Sequence, residues 1–237
     1  MSSFKIAVIS DIHSNLSALR TVLSDIHNKG IKRIFCLGDL VGYYTQPIPT
    51  IHLCLAKCEM VTKGNHDNSA ALGVIPNHYR SDSLKPIEFT NQSLTVHERK
   101  ILHALPLMHT EECNKIKKKM MFIHGGPEYP LDQYIYPDMN DEIKECFDFM
   151  DLIKVDTLFM GHTHIPFKAE MNAKLICNPG SVGQPRDGDS RASYVVYDME
   201  KHGVEFCRVF YDPTTTINGV KKHHFSSELA ERLLIGK

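Results

Sequence analysis

Short apolar runs alternate with helical periodicity through the opening quarter of the chain, and this rhythm limits the fold before any single residue is weighed. Phe4 to Ser10 is a β-branched apolar run that ends in polar residues and reads as a buried strand. Leu16, Leu19, Val22, Leu23 and Ile26 then recur at helical spacing up to Gly30. Ile34 to Leu37 gives a second strand ending at Gly38-Asp39, a helix follows Pro49 through Lys57, and Glu59 to Thr62 gives a third strand ending at Gly64-Asn65. A βαβαβ order of this kind implies a parallel sheet.

The stretch from Ser69 to His109 lacks strand signals and contains a capping-box pattern, Thr95 with Glu98, ahead of Ile101, Leu102 and Leu105; helices covering the active face are expected there. Leu105–Thr110 and Met120–His124 are expected as strands and Asp141–Ile153 as a helix. Thr157–Met160, Phe167–Met171, Lys174–Cys177, Tyr194–Asp198 and Val204–Tyr211 follow so closely that hairpins are needed, which predicts mostly antiparallel pairing in the second half. Two sheets packed face to face, with helices outside, would bury all of these strands. Leu229, Leu233 and Leu234 predict a terminal helix after Ser226. No repeat or linker interrupts the 237 residues, so a single domain, 1–237, with a helical cap insertion at 69–109, is expected.

Lys plus Arg (27) against Asp plus Glu (28) leaves a formal charge of -1, so no global positive field can hold a nucleic-acid backbone or an anionic membrane. Phosphate recognition has to be local, and an exonuclease lacks its basic track. The apolar run Ile6 to Ile9 is too short for a signal-peptide core or a membrane span, which makes the cytoplasm the expected location. The 7 Cys residues are scattered without a CxxC pair and are expected to be small buried hydrophobes rather than disulfides or zinc ligands. His, at 14 in a chain without Trp, is the abundance that directs the search, because imidazole is the commonest metal ligand.

Ligand-competent residues gather at the expected strand ends: Asp11-Ile12-His13, Gly38-Asp39, Gly64-Asn65-His66-Asp67, His124-Gly125-Gly126 and Gly161-His162-Thr163-His164. Each alone has an ordinary explanation as a turn or a hydrogen-bonded histidine. Together they point to the crevice at the carboxyl ends of the strands, where open α/β sheets place ligands. Carboxylates, an amide oxygen and imidazoles without a thiolate suit Mn²⁺, Fe²⁺, Zn²⁺ or Ni²⁺ and a hydrolytic centre. The candidates exceed the needs of one ion, whereas two ions about 3.5–4 Å apart share a bridging carboxylate, for which Asp39 is the natural choice.

The ordered set DxH, GD, GNHD, HG and GHTH resembles the calcineurin-like metallophosphoesterase superfamily. The run Asn178-Pro-Gly-Ser-Val-Gly-Gln-Pro-Arg186 is similar to that of its small bacterial and archaeal phosphodiesterase branch. The resemblance implies an α/β fold, a four-layer αββα sandwich of two mixed β-sheets flanked by helices. It implies two divalent transition-metal ions per chain, Mn²⁺ first with Fe, Zn or Ni as alternatives. Asp11, His13 and His164 would bind the first, Asn65, His124 and His162 the second, and Asp39 would bridge. His66 falls outside the ligand set and would sit beside the scissile phosphate as general acid or charge stabiliser. The implied reaction is hydrolysis of a small phosphodiester, nucleotide diesters among the candidates, by a hydroxide bridging the ions, with His66 protonating the leaving alkoxide.

One departure narrows this reading. The Ser/Thr protein phosphatases and symmetrical dinucleoside tetraphosphatases carry Asp and Arg beyond their GD motif, where this chain reads Leu40-Val41-Gly42-Tyr43. Gly42 cannot orient His66, which argues against phosphoprotein phosphatase activity; Asp67 becomes either a replacement orienter or a helix cap. Arg186 and Arg191 are candidate phosphate clamps, since a guanidinium pairs with phosphate in bidentate fashion. Tyr129, Tyr134 and Tyr136 are expected to pack their own loop rather than stack on a base. The alternatives are a phosphomonoesterase and a non-catalytic protein-binding scaffold of the same fold, as the retromer subunit is understood to be; a scaffold would be marked by lost ligands. The expected partner is a small phosphodiester substrate, with no membrane and no extended nucleic acid, and with homo-oligomers open to the chain.

Overall fold

Alternation along the first strand, β1 (Lys5–Ile9), establishes the layers of the molecule. Its Ile6 and Val8 join one apolar cluster and its Ala7 and Ile9 another, so a strand of period two is buried on both faces. The computed structural model describes residues 4–75, 77 and 81–237. In chain order β1 is followed by α1 (Leu16–Asn28), β2 (Arg33–Cys36), α2 (Pro47–Lys57) and β3 (Met60–Val61). The segment after β3 forms α3 (Asn65–Leu72), α4 (Ser81–Ser93) and α5 (Val96–Ala104). The second half contains β4 (Met108–Cys113), β5 (Lys118–Ile123), α6 (Asn140–Ile153), β6 (Thr157–Phe159), β7 (Phe167–Met171) and β8 (Lys174–Asn178). The chain closes with β9 (Ala192–Asp198), β10 (Gly203–Val209), α7 (Thr214–Lys222) and α8 (Ser227–Ile235).

Two mixed five-stranded sheets result, ordered β10-β9-β1-β2-β3 and β4-β5-β6-β8-β7. Ile6, Val8 and Phe35 of the first meet Met120, Phe122 and Phe159 of the second, with the Phe35 and Phe122 rings stacked at 4.5 Å. On the far side of the first sheet, Ala7 and Ile9 pack against Leu19, Val22 and Ile26 of α1 and Ile51 of α2. On the far side of the second, Met121 and Ile123 pack against Phe147 and Met150 of α6. Helix, sheet, sheet and helix are thus the four expected layers. Each fully buried aliphatic or aromatic side chain contributes roughly 1.5–3 kcal/mol to this arrangement.

Several boundaries differ from the sequence reading. The centre of the second sheet is parallel, β5 with β6 and β6 with β8, because α6 supplies a crossover between β5 and β6 and β7 returns the chain before β8. The strand expected at Leu105–Thr110 begins at Met108, since Leu105 caps α5 and Pro106 follows it. Helix α7 had no strong signal: its sequence TTTINGVKK buries only Thr216 and Val220. Within 69–109, Ala70, Ile87, Leu94 and Leu102 join the core cluster of α1 and α2; residues 76 and 78–80 lie outside the described residues. The seven cysteines are free. Among the described residues no helix is long and apolar enough to cross a membrane.

Candidate metal centre

The loops at the strand ends turn so sharply that many candidate ligands adopt left-handed backbone. Asp11 (φ 54°), His13 (50°), Asp39 (53°), His162 (68°) and His164 (62°) all lie in the region that normally favours glycine. Each costs of order 1–3 kcal/mol and persists only where neighbours over-determine it. Here the N–H groups of Ile12 and His13 both donate to the Asp39 carbonyl at 2.9 Å, and those of Asp11 and Gly183 lock to Gly38 and Asp11 carbonyls at 3.1 and 2.9 Å. Gly64 permits a close approach, since a Cβ there would fall 2.0 Å from Asp39 Oδ1. That oxygen accepts the His66 backbone N–H at 2.9 Å, so α3 starts directly on the carboxylate.

The side chains converge in groups. Ligand atoms of Asp11, His13 and His164 lie within 4.8 Å of one another, as do those of Asp39, His124 and His162, and all six residues are buried. Asp39 Oδ2 stands 3.5 Å from His13 Nε2 and 3.4 Å from His124 Nε2, between the two groups. Asn65 Oδ1 is 3.3 Å from His124 Nε2. Backbone carbonyls fix the rings: His13 Nδ1 donates to Val41 at 3.0 Å, His124 Nδ1 to Leu37 at 2.9 Å and His164 Nδ1 to Gln184 at 2.6 Å. A ring held this way turns its Nε2 inward, the arrangement typical of metal-binding histidines. Among the described residues the buried Asp11 Oδ1 has no hydrogen-bond partner and lies 3.4 Å from His164 Nε2, so an acceptor faces the same centre. This donor set fits divalent transition metals.

Electrostatics follow from burial and crowding. Burial drives the His13 ring well below its ordinary value, and pushes His162 down to about 3. Burial also opposes charge on Asp39 and His124, but their attraction for each other wins, holding Asp39 well below the carboxylate range and lifting His124 to about 9. His66 is pushed down to about 4 by burial, against the pull of Asp39.

Residues 4–202 match the family model of the calcineurin-like phosphoesterase superfamily domain. The chain belongs to that superfamily. An uncharacterized protein of Methanocaldococcus jannaschii is 38% identical over 98% of this chain and 98% of its own. The metallophosphoesterase of Sphaerobacter thermophilus has a TM-score of 0.84 at 28% identity, covering 100% of each chain. A hypothetical protein of Pyrococcus horikoshii shares the fold with a TM-score of 0.86 at 22% identity, over 98% of each chain.

Within this phosphoesterase the structure gathers Asp11, His13, Asp39, Asn65, His124, His162 and His164 at one centre and also brings His66 to it, grouped with His13 and Asp39. Gly42 lies against the His66 ring: a Cβ there would come within 2.5 Å of Nδ1. Asp67 is a cap and a bolt, accepting from Gly64 N–H at 3.0 Å and from Leu40 and Val41 N–H at 2.9 and 3.2 Å. Asn178 binds the histidine loop, donating to the Gly161 carbonyl at 2.7 Å and Thr163 Oγ1 at 3.0 Å. Of the two arginines, Arg186 reaches Tyr43 beside the histidines, whereas Arg191 is engaged by Asp189 at 2.6 Å and lies over Phe210.

Two aromatic rings border the histidines: Tyr43, to which the sequence assigns no role, and Tyr134, expected to pack its own loop, which does stack on Tyr136 but also reaches the site. Tyr43 sits edge-on to His13 at 4.6 Å, and Tyr134 stacks on His162 at 3.8 Å while remaining 45% exposed. Tyr43 directly follows Gly42 in the GD segment, a signal that was available; Tyr134 carries no spacing signal because the loop alone brings it over the histidine.

Proposed function

We propose that this phosphoesterase hydrolyses a small phosphodiester at a centre holding two divalent transition-metal ions, Mn²⁺ foremost. The supporting observation is the Asp39 carboxylate standing between two ligand groups. Asp11, His13 and His164 would hold one ion, Asn65, His124 and His162 the other, with Asp39 shared. Bound ions would supply Lewis acidity, lowering the pKa of water from about 15.7 toward 7 and drawing charge from phosphoryl oxygens.

The chain's own groups do the rest. His66 Nδ1 lies against Gly42, and in this reading Nε2 is the atom turned to the reacting ester. With its pKa at about 4 the ring rests neutral at pH 7, so Nε2–H acts as a hydrogen-bond donor to the phosphoryl or leaving oxygen rather than as a pre-charged acid. Arg186 places a guanidinium beside the histidines, hydrogen-bonded among the described residues to the neutral Tyr43 and Gln184, which suits it to one phosphoryl oxygen. The likeness of the Asn178–Arg186 run to that of the small phosphodiesterase branch favours a diester over a monoester. The exposed face of Tyr134 favours substrates with a flat substituent, nucleotide diesters among them. The intact ligand set favours catalysis over a protein-binding scaffold.

Chelator-stripped protein given Mn²⁺ should hydrolyse bis(p-nitrophenyl) phosphate faster than p-nitrophenyl phosphate. A preference for the monoester would make the protein a phosphomonoesterase, and no activity with any divalent metal would favour the scaffold.

A further inference from the structure

We infer that Gln184 is a positioning residue that aims Arg186 at the substrate's anion, and that the C-terminal helix α8 locks it. The inference deepens the phosphodiester reading and rests on it for the identity of the anion.

Gln184 and Tyr44 are both fully buried. The Tyr44 hydroxyl donates to the Leu229 carbonyl of α8 at 3.1 Å, and a carbonyl can only accept. The Tyr44 oxygen is then free to accept, and it takes the Gln184 Nε2–H at 3.0 Å. The amide is thereby oriented, and its Oε1 faces Arg186, accepting from Nη2 at 2.8 Å and Nε at 3.3 Å. Arg186 Nη2 also donates to the Tyr43 hydroxyl at 3.1 Å. Every donor in this chain points one way. Flipping the Gln184 amide would set its NH₂ against the guanidinium and its oxygen against a hydroxyl already committed to Leu229, leaving buried groups unsatisfied.

Among the described residues the hydrogen-bond partners of the guanidinium at the end of the chain are neutral, which leaves its charge able to pair with an anion, and an oxygen of a phosphoryl group is the matching one. Gln184 serves the centre twice, through separate atoms. Its backbone carbonyl holds His164 Nδ1 at 2.6 Å, while its side chain holds Arg186. A side-chain substitution therefore separates anion recognition from metal retention. The lock lies beyond the matched family segment 4–202: Leu229 and Leu233 of α8 pack with Val220 of α7 against Tyr43 and Tyr44. The C-terminal helices thus hold the substrate side of the site.

The test uses full-length, Mn²⁺-loaded protein carrying Gln184→Met or Tyr44→Phe, with Arg186→Met to set the scale. Manganese content, the dissociation constant for inorganic phosphate by calorimetry, and KM and kcat on bis(p-nitrophenyl) phosphate are measured. Gln184→Met is expected to weaken phosphate by about tenfold, the scale of a lost hydrogen bond to a charged group, with a matching rise in KM and unchanged manganese content. Tyr44→Phe, which keeps the ring and removes only the lock, is expected to weaken phosphate by a few-fold and carries the test if the methionine variant does not fold. Unchanged phosphate affinity in the folded variants, or manganese lost in parallel with affinity, would overturn the inference. If the wild type hydrolyses no diester but its phosphate affinity still depends on Gln184, the phosphodiesterase reading fails and the positioning role stands.

Discussion

His13 Nε2 and His164 Nε2 face each other across 3.0 Å, while the Nδ1 atoms of the same rings donate to the carbonyls of Val41 and Gln184. Each ring has committed its proton elsewhere, and burial lowers the pKa of both, so neither gains a second one readily. Two lone pairs held at this distance call for a cation. Addition of Mn²⁺ to stripped protein at about 100 times its Kd should stabilise the fold by about 2.7 kcal/mol, a Tm rise of roughly 5–10 °C. Differential scanning fluorimetry with and without chelator measures this, and an unchanged Tm would argue against a site at His13 and His164.

Asp39→Asn should be the most damaging single change among the ligands. Oδ2 serves both ligand groups and Oδ1 receives the His66 N–H, so the amide loses charge at the junction and risks setting an NH₂ against that N–H. We expect manganese content to fall for both ions and diester hydrolysis to drop by at least about 100-fold, in line with the loss of an essential metal ligand. Elemental analysis beside the activity assay checks both; retention of full metal content would remove Asp39 from its bridging role.

The first half of the molecule was legible because β1, α1, β2, α2 and β3 each carry a strong periodic signal and the ligands follow at strand ends. The mixed character of the second sheet was harder to read, since short strands such as β6 (TLF) look alike in parallel and antiparallel pairing and only α6 decides between them. Among the candidate residues, the ligands were readable from motif order. Arg186 and Arg191 were indistinguishable in sequence because their difference is tertiary: Asp189 captures one and Gln184 the other. Helix α7 is polar almost throughout, so its place against Tyr43 and Tyr44 comes from Val220 and Ile217 rather than from any local propensity.

Gly42→Ala should impair turnover without removing metal. At φ +97° an L side chain is strained, and its Cβ would fall 2.5 Å from His66 Nδ1, so either the ring or the 40–43 loop must move. A drop in kcat of about tenfold or more is expected from a displaced hydrogen-bond donor, with manganese content unchanged. Parallel losses of metal and turnover would instead mean that the loop supports the ligands themselves.

Metal binding should release a proton. Burial disfavours charge on His124, but Asp39, Asp11 and Asp67 outweigh it and lift the ring to about 9, so at pH 7 an arriving ion must displace that proton. Affinity should therefore rise by about tenfold per pH unit between pH 7 and 9 for one displaced proton. The sign for the metal-free fold is the reverse. A folded pKa raised above 6.5 gives stability that is complete below that value and lost as pH rises through about 9. Calorimetry of metal binding in buffers of different ionisation enthalpy counts the proton; none released at pH 7 would contradict the assignment.

The central claim is that two ions act together across Asp39, and a Mn²⁺ titration of stripped protein that follows bound metal and bis(p-nitrophenyl) phosphate hydrolysis in the same samples tests it most directly. The expected result is two ions per chain, with activity climbing as the second binds. Saturation of both binding and activity at one ion per chain would contradict it.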